Sequence, residues 1–148
     1  MKKTLFIALA VCLLTACETK YDTAGDFGGH WQQTKFIVDG KSESVQGKIY
    51  WSVRSEYLVL NGGDNKGSYG QYALKVQQKP NTLEILQVWW ESPTTPGDYD
   101  KILNIPEINE KYRIPESGVF NIDKLNSKEM ILSSVQGGKK VVHEFRKY

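Results

Sequence analysis

The feature that most constrains this chain is an alternation of apolar and polar residues in short runs, each closed by turn residues. In Tyr69–Val76, Tyr72, Leu74 and Val76 fall on one side and Gln71, Ala73 and Lys75 on the other, the period of two that a half-buried strand requires. Lys48–Val53 repeats the pattern, with Ile49, Trp51 and Val53 sharing a face. Trp31–Val38, Glu56–Leu60, Thr82–Trp90, Lys111–Ile114, Gly118–Ile122, Lys128–Ser134 and Lys139–Tyr148 bring the set to about nine predicted strands. Between them stand turn and loop signals: Asp39-Gly40, Asn61–Gly67, Lys79-Pro80-Asn81, Asp123–Ser127 and Gly137-Gly138. Polar Lys41–Ser44 widens the first turn into a loop. Short strands joined in sequence order by tight turns predict an antiparallel all-β domain. A chain of 148 residues holds one such domain around one core.

Glu91–Glu110 breaks the pattern. It carries Pro93, Pro96 and Pro106 and no alternation, and it is long for a connection in a compact domain, which marks a lid or a ligand-contacting segment. Asp98–Leu103 within it has the composition of a single helical turn.

The N-terminus is of a different kind. Met1-Lys2-Lys3 precedes an apolar run from Leu5 to Leu14, too short for a membrane-spanning helix, and then Leu14-Thr15-Ala16-Cys17. This tetrapeptide resembles the lipobox of bacterial lipoproteins. The resemblance implies cleavage before Cys17, acylation of its thiol and of the new amine, and residues 1–16 as a signal peptide. Two or more acyl chains make such an anchor stable. Glu18, next to the cysteine, implies sorting to the outer membrane of the cell envelope. Glu18–Phe27, mixed in charge and poor in apolar residues, reads as a tether, so that 17–27 links the lipid to a domain over 28–148. With Cys12 removed and Cys17 lipidated, no disulfide or free thiol remains. Lys2 and Lys3 account for the net charge of +2; the remaining near-neutral chain excludes a nucleic-acid partner.

A run of antiparallel strands must hide its two edges, and the long apolar first and last runs are those that closure into a barrel would pair. Gly29-His30-Trp31 resembles the Gly-x-Trp signature that opens the first strand of lipocalins. In that family a late arginine lies across the tryptophan at the closed end, and Arg146 is the matching residue. The expected base motif is therefore Gly29, Trp31 and Arg146, with the guanidinium stacked on the indole. Val119–Ile122 and Met130–Leu132 also resemble small lipocalin-like lipoproteins of Gram-negative gut bacteria. The resemblance implies a small up-and-down barrel of about eight to ten strands.

Nothing in the sequence points to catalysis. His30 and His143, the two histidines, lack the spacing of a metal site and are read as partly exposed strand residues. No serine stands in a nucleophile pattern. Asp98, Asp100, Glu107 and Glu110 are read as a solvated loop face rather than a calcium loop. No cofactor or metal is implied. Aromatic residues crowd the central strands. Trp51, Tyr72 and one of the adjacent Trp89 and Trp90 are the candidate lining of a cavity, with Trp90 and Tyr99 as contacts near the loop. The expectation is a non-enzymatic, membrane-tethered, monomeric barrel that takes a small hydrophobic ligand in a preformed cup. The alternative is a surface lipoprotein with a solid barrel core that binds a carbohydrate or a protein at its rim.

Overall fold

The computed structural model describes residues 25–45, 47–64, 67–68, 71–90 and 106–148. The signal segment, Cys17 and most of the tether lie outside them, as do Tyr99, Asp98–Leu103 and the side chains of Trp89, Trp90 and Glu107.

The strands are β1 (Gly29–Val38), β2 (Lys41–Glu43), β3 (Lys48–Arg54), β4 (Tyr57–Asp64), β5 (Gly67–Ser68), β6 (Tyr72–Gln78), β7 (Thr82–Trp90), β8 (Val119–Leu125), β9 (Glu129–Gln136) and β10 (Lys139–Lys147). A helical turn, α1 (Pro106–Lys111), stands between β7 and β8. The sheet runs β10-β9-β8-β7-β6-β4-β3-β1, all antiparallel, and β10 returns to pair with β1. The two short strands β2 and β5 extend β1 and β4 beyond this ring. The fold is thus an all-β, up-and-down closed barrel: the antiparallel all-β domain that the alternation predicted, closed as the lipocalin resemblance implied. Closure runs along nearly the whole of both end strands, from Trp31 opposite Lys147 to Val38 opposite Val141. It leaves neither end strand an open edge.

Three predicted boundaries change. Lys111–Ile114 is not a strand: its first residue ends α1 and the rest is a bend and irregular chain without a ladder partner. Asn61–Asp64, read as loop from its glycines, continues β4, because Gly62 and Gly63 keep their pairing with Ile49 and Lys48 of β3. Lys41–Glu43 forms β2 against β1 across the Asp39-Gly40 turn, where both residues have positive φ, the conformation a tight hairpin needs.

One end of the barrel is closed by residues assigned above to the tether. Gly25–Phe27 form a 3-10 turn, and Phe27 is buried in the core. The Trp31 indole Nε1 donates to the Phe27 carbonyl at 2.7 Å, which ties turn and barrel floor together.

The cation over Trp31 is Lys147, not Arg146: its Nζ lies 4.8 Å from the ring centroid. Arg146 is exposed, with its backbone opposite Gln32 and Glu129. Strand parity explains the correction, since Val141, His143, Phe145 and Lys147 share one side of β10 and Arg146 takes the other. Backbone conformation favours glycine at position 29. At φ 112° it occupies backbone space open to glycine, and a Cβ there would come within 2.8 Å of Lys147 Cε. The lysine stem crosses this gap to reach Trp31, and its Nζ donates to the Asp26 carbonyl at 3.2 Å.

Candidate functional site

At the opposite end the barrel wall has a seam. β7 pairs with β8 only from Thr82 to Glu84, and β8 pairs with β9 only up to Ser133. Beyond these points the upper part of β7 and the end of β9 diverge, and the connection through residues 112–118 runs between them. Gly118 accepts from the Ile85 amide at 2.8 Å, and the Arg113 carbonyl accepts from Gln136 Nε2. The same connection fills the mouth. Ile108 of α1, Tyr112 and Ile114 are all but fully buried and belong to the barrel core. Tyr112 meets Tyr72 edge-on, with ring centroids 6.1 Å apart. On the outside, Arg113 holds Glu43 of β2 at 2.9 Å, and Asn109 Nδ2 donates to the Ile114 carbonyl at 2.8 Å. The described end of the expected lid, residues 106–110, places Ile108 in the cup, where Tyr112 and Ile114 of the following segment complete a plug.

Beneath the plug lies an aromatic layer. His143 is completely buried. This overturns the expectation that both histidines are partly exposed; only His30 is, and it bonds to Ser52 Oγ at 2.9 Å. The signal was present in the sequence, because His143 alternates with Val141 and Phe145, which are both core residues. Its imidazole stacks parallel to Phe145 at 6.2 Å and meets Phe36 and Phe120 edge-on at 5.1 and 5.3 Å. Trp51 lies 6.2 Å from it and packs on Phe145 at 4.6 Å.

The layer has a polar centre. Gln33, buried on β1, places its amide Nε2 3.2 Å from His143 Nδ1. An amide nitrogen only donates, so Nδ1 accepts and the ring proton sits on Nε2. Three buried atoms then have no hydrogen-bond partner among the described residues: Gln33 Oε1, Trp51 Nε1 and His143 Nε2. Buried polar atoms are almost always satisfied, and each exception calls for an explanation. The ring is neutral: burial first of all pulls its pKa from 6.5 to about 3. The Arg113 carbonyl opposes this and the Arg113 charge adds to it.

Of the residues singled out from sequence, Trp51 and Tyr72 face the interior, both fully buried. Trp51 belongs to the polar layer, whereas Tyr72 lies against the plug. Trp90 is paired with Tyr72 and Trp89 with Ala73 along the β6–β7 ladder. Gln33 and His143 were not anticipated. Among the described residues no group of three or more His, Cys, Asp or Glu is arranged to hold a metal ion.

Concavities among the described residues lie around this layer, one of them bordering it at Phe36. One of about 270 Å³ is bounded by Phe27, Glu56 and Gln77, and one of about 170 Å³ lies between Phe36, Glu43 and Arg113 at the mouth. The third, an open depression of about 700 Å³, includes His30, Ser52, Arg54 and Tyr57.

A closed antiparallel barrel with a tryptophan-plugged base and a side-chain-lined interior defines a lipocalin-like architecture. The family model described as a lipocalin-like domain matches residues 12–148, so the chain belongs to the lipocalin-like domain family. A lipocalin-like protein from Bacteroides uniformis ATCC 8492 superposes with a TM-score of 0.60 at 20% identity, over 84% of this chain and 100% of that one. An uncharacterized protein from Bacteroides eggerthii DSM 20697 superposes with a TM-score of 0.56 at 21% identity, over 82% and 98% of the two chains. At these identities the likeness is one of fold. Curated protein sequences gave no match.

Proposed function

We propose that this protein is a non-enzymatic binding module, tethered to the outer membrane through Cys17, whose barrel takes a small hydrophobic molecule. The observation that carries the reading is the source of the filling in the upper cup. Ile108, Tyr112 and Ile114, which occupy it, come from the β7–β8 connection rather than from the wall strands. The connection lies outside the closed ladder, held at the rim by an exposed ion pair and hydrogen bonds and inside by its own buried side chains, so a ligand can replace that filling without breaking a strand pairing. Its departure would uncover an aromatic-walled space with few polar groups, the usual make-up of a small-molecule site.

A second reading, a rim that binds a glycan or a protein, is favoured by the depression that includes His30, Ser52 and Tyr57. Tyr57 is 45 % exposed there. Tryptophan-fluorescence titration of the purified chain carrying Cys17→Ala separates the two. Saturable quenching or enhancement by long-chain alcohols and sterols, with no response to oligosaccharides, is the expected result. A response to oligosaccharides alone would move function to the outer surface, and silence toward both sets would contradict the binding cup.

A further inference from the structure

We infer that Gln33, Trp51 and His143 form the seat for the polar head of the ligand, and that this head is neutral: a hydroxyl or carboxamide group rather than a carboxylate. The inference rests on the binding reading above and specifies its chemistry.

The three unpartnered atoms make a defined set. Trp51 Nε1 and His143 Nε2 each present an N–H, and Gln33 Oε1 presents a lone-pair acceptor. The His143 ring centroid lies 6.2 Å from that of Trp51 and the imidazole is bonded to the Gln33 amide, so the three side chains share one layer. A carboxamide matches both types, with a carbonyl for the N–H groups and an NH₂ for Gln33 Oε1. A hydroxyl likewise donates once and accepts. A carboxylate only accepts, which would leave Gln33 Oε1 directed at an anion.

Charge points the same way. The groups around the seat are Phe36, Phe120 and Phe145, the neutral imidazole and the backbone carbonyl of Arg113, which faces that imidazole. The one charged group that acts on His143 is Arg113, and its guanidinium is engaged with Glu43 at the rim. An anion buried in such a layer loses its hydration without gaining a counter-ion, a far larger penalty than a neutral amide or alcohol incurs. All three seat residues are at most 3 % exposed, so bulk water does not offset that loss.

Matched ligands of one chain length test this directly. Dodecanol, dodecanamide and dodecanoate would be titrated at pH 8, where the last is fully ionised, into the Cys17→Ala chain, with binding read by calorimetry. The two neutral ligands should bind at least tenfold more tightly than the carboxylate. In the background of Gln33→Leu or His143→Phe, circular dichroism and thermal melting first establishing the fold, that preference should shrink to within about threefold. Dodecanoate binding as tightly as dodecanol in the wild-type chain would overturn the inference while leaving the binding cup in place. So would an undiminished preference in both variants. Absence of binding by all three would remove the seat and the cup together. The wild-type ranking needs no variant and stands even if both substitutions prevent folding.

Discussion

His143 ties the stability of the barrel to pH in a direction that its burial dictates. Burial lowers the imidazole pKa from 6.5 in the unfolded chain to about 3 in the folded one. Between those values the unfolded chain binds a proton that the native chain does not, so stability falls as pH falls. Above 6.5 both states are neutral and the contribution is constant. Within the window the slope approaches roughly 1.4 kcal/mol per pH unit, so that lowering the pH from 7.5 to 5 removes about 2 kcal/mol. Glu129, held below the usual carboxylate value first by its hydrogen bond from Lys124, titrates beneath this range. Urea denaturation at half-unit steps from pH 7.5 to 5 measures the effect. His143→Phe should cost about 1–3 kcal/mol at pH 7.5, because Gln33 Nε2 loses its buried acceptor, yet its profile should be flatter than that of the wild type by about 2 kcal/mol over the window. Parallel profiles for the two proteins would refute the reasoning, since they would mean that the folded histidine takes up its proton as freely as the unfolded one.

Three further outcomes follow from the closed end and the anchor. Lys147→Ala should lower stability by about 0.5–1 kcal/mol through loss of the cation over Trp31, whereas Arg146→Ala should stay within about 0.5 kcal/mol of wild type as an exposed outer-face change; denaturant midpoints separate them. Gly29→Ala should cost about 1–3 kcal/mol from the positive φ and the contact with the Lys147 stem. In the double variant with Lys147→Ala the steric part should disappear, giving a coupling of at least about 0.5 kcal/mol in a double-mutant cycle. Cys17→Ala should move the protein from the membrane fraction to the soluble fraction on ultracentrifugation; retention in the membrane would contradict the lipid anchor.

Period-two alternation carried most of the barrel into view from sequence. Ile49, Trp51 and Val53, and Tyr72, Leu74 and Val76, are buried on the inward faces assigned to them, and the two long end runs pair as expected. The same signal misled where other structure shares it. Tyr112 and Ile114 alternate with Arg113 as in a strand, but Arg113 has φ 54° and the segment turns inward to plug the mouth. Glycine misled in the other direction: Gly62 and Gly63 read as loop, yet the flanking ladder holds them in β4. A cation over Trp31 was expected but misplaced by one residue, because the family motif names a late arginine and so pointed to Arg146, whereas register with Trp31 selects Lys147. The polar seat was the least legible part. Gln33 and His143 lie 110 positions apart, and nothing local in either strand says that barrel closure brings them into contact.

The claim at the centre of this account is that a ligand enters the barrel and reaches the layer of Trp51 and His143. Two-dimensional NMR of the indole N–H groups tests it most directly, because the four tryptophans give separate signals that single Trp→Phe variants assign. On saturation with dodecanamide the Trp51 indole signal should shift as Nε1 gains its missing acceptor, while that of Trp31, already bonded to the Phe27 carbonyl at 2.7 Å, should stay in place. An unmoved Trp51 signal under saturating ligand would contradict the account and place any binding outside the barrel.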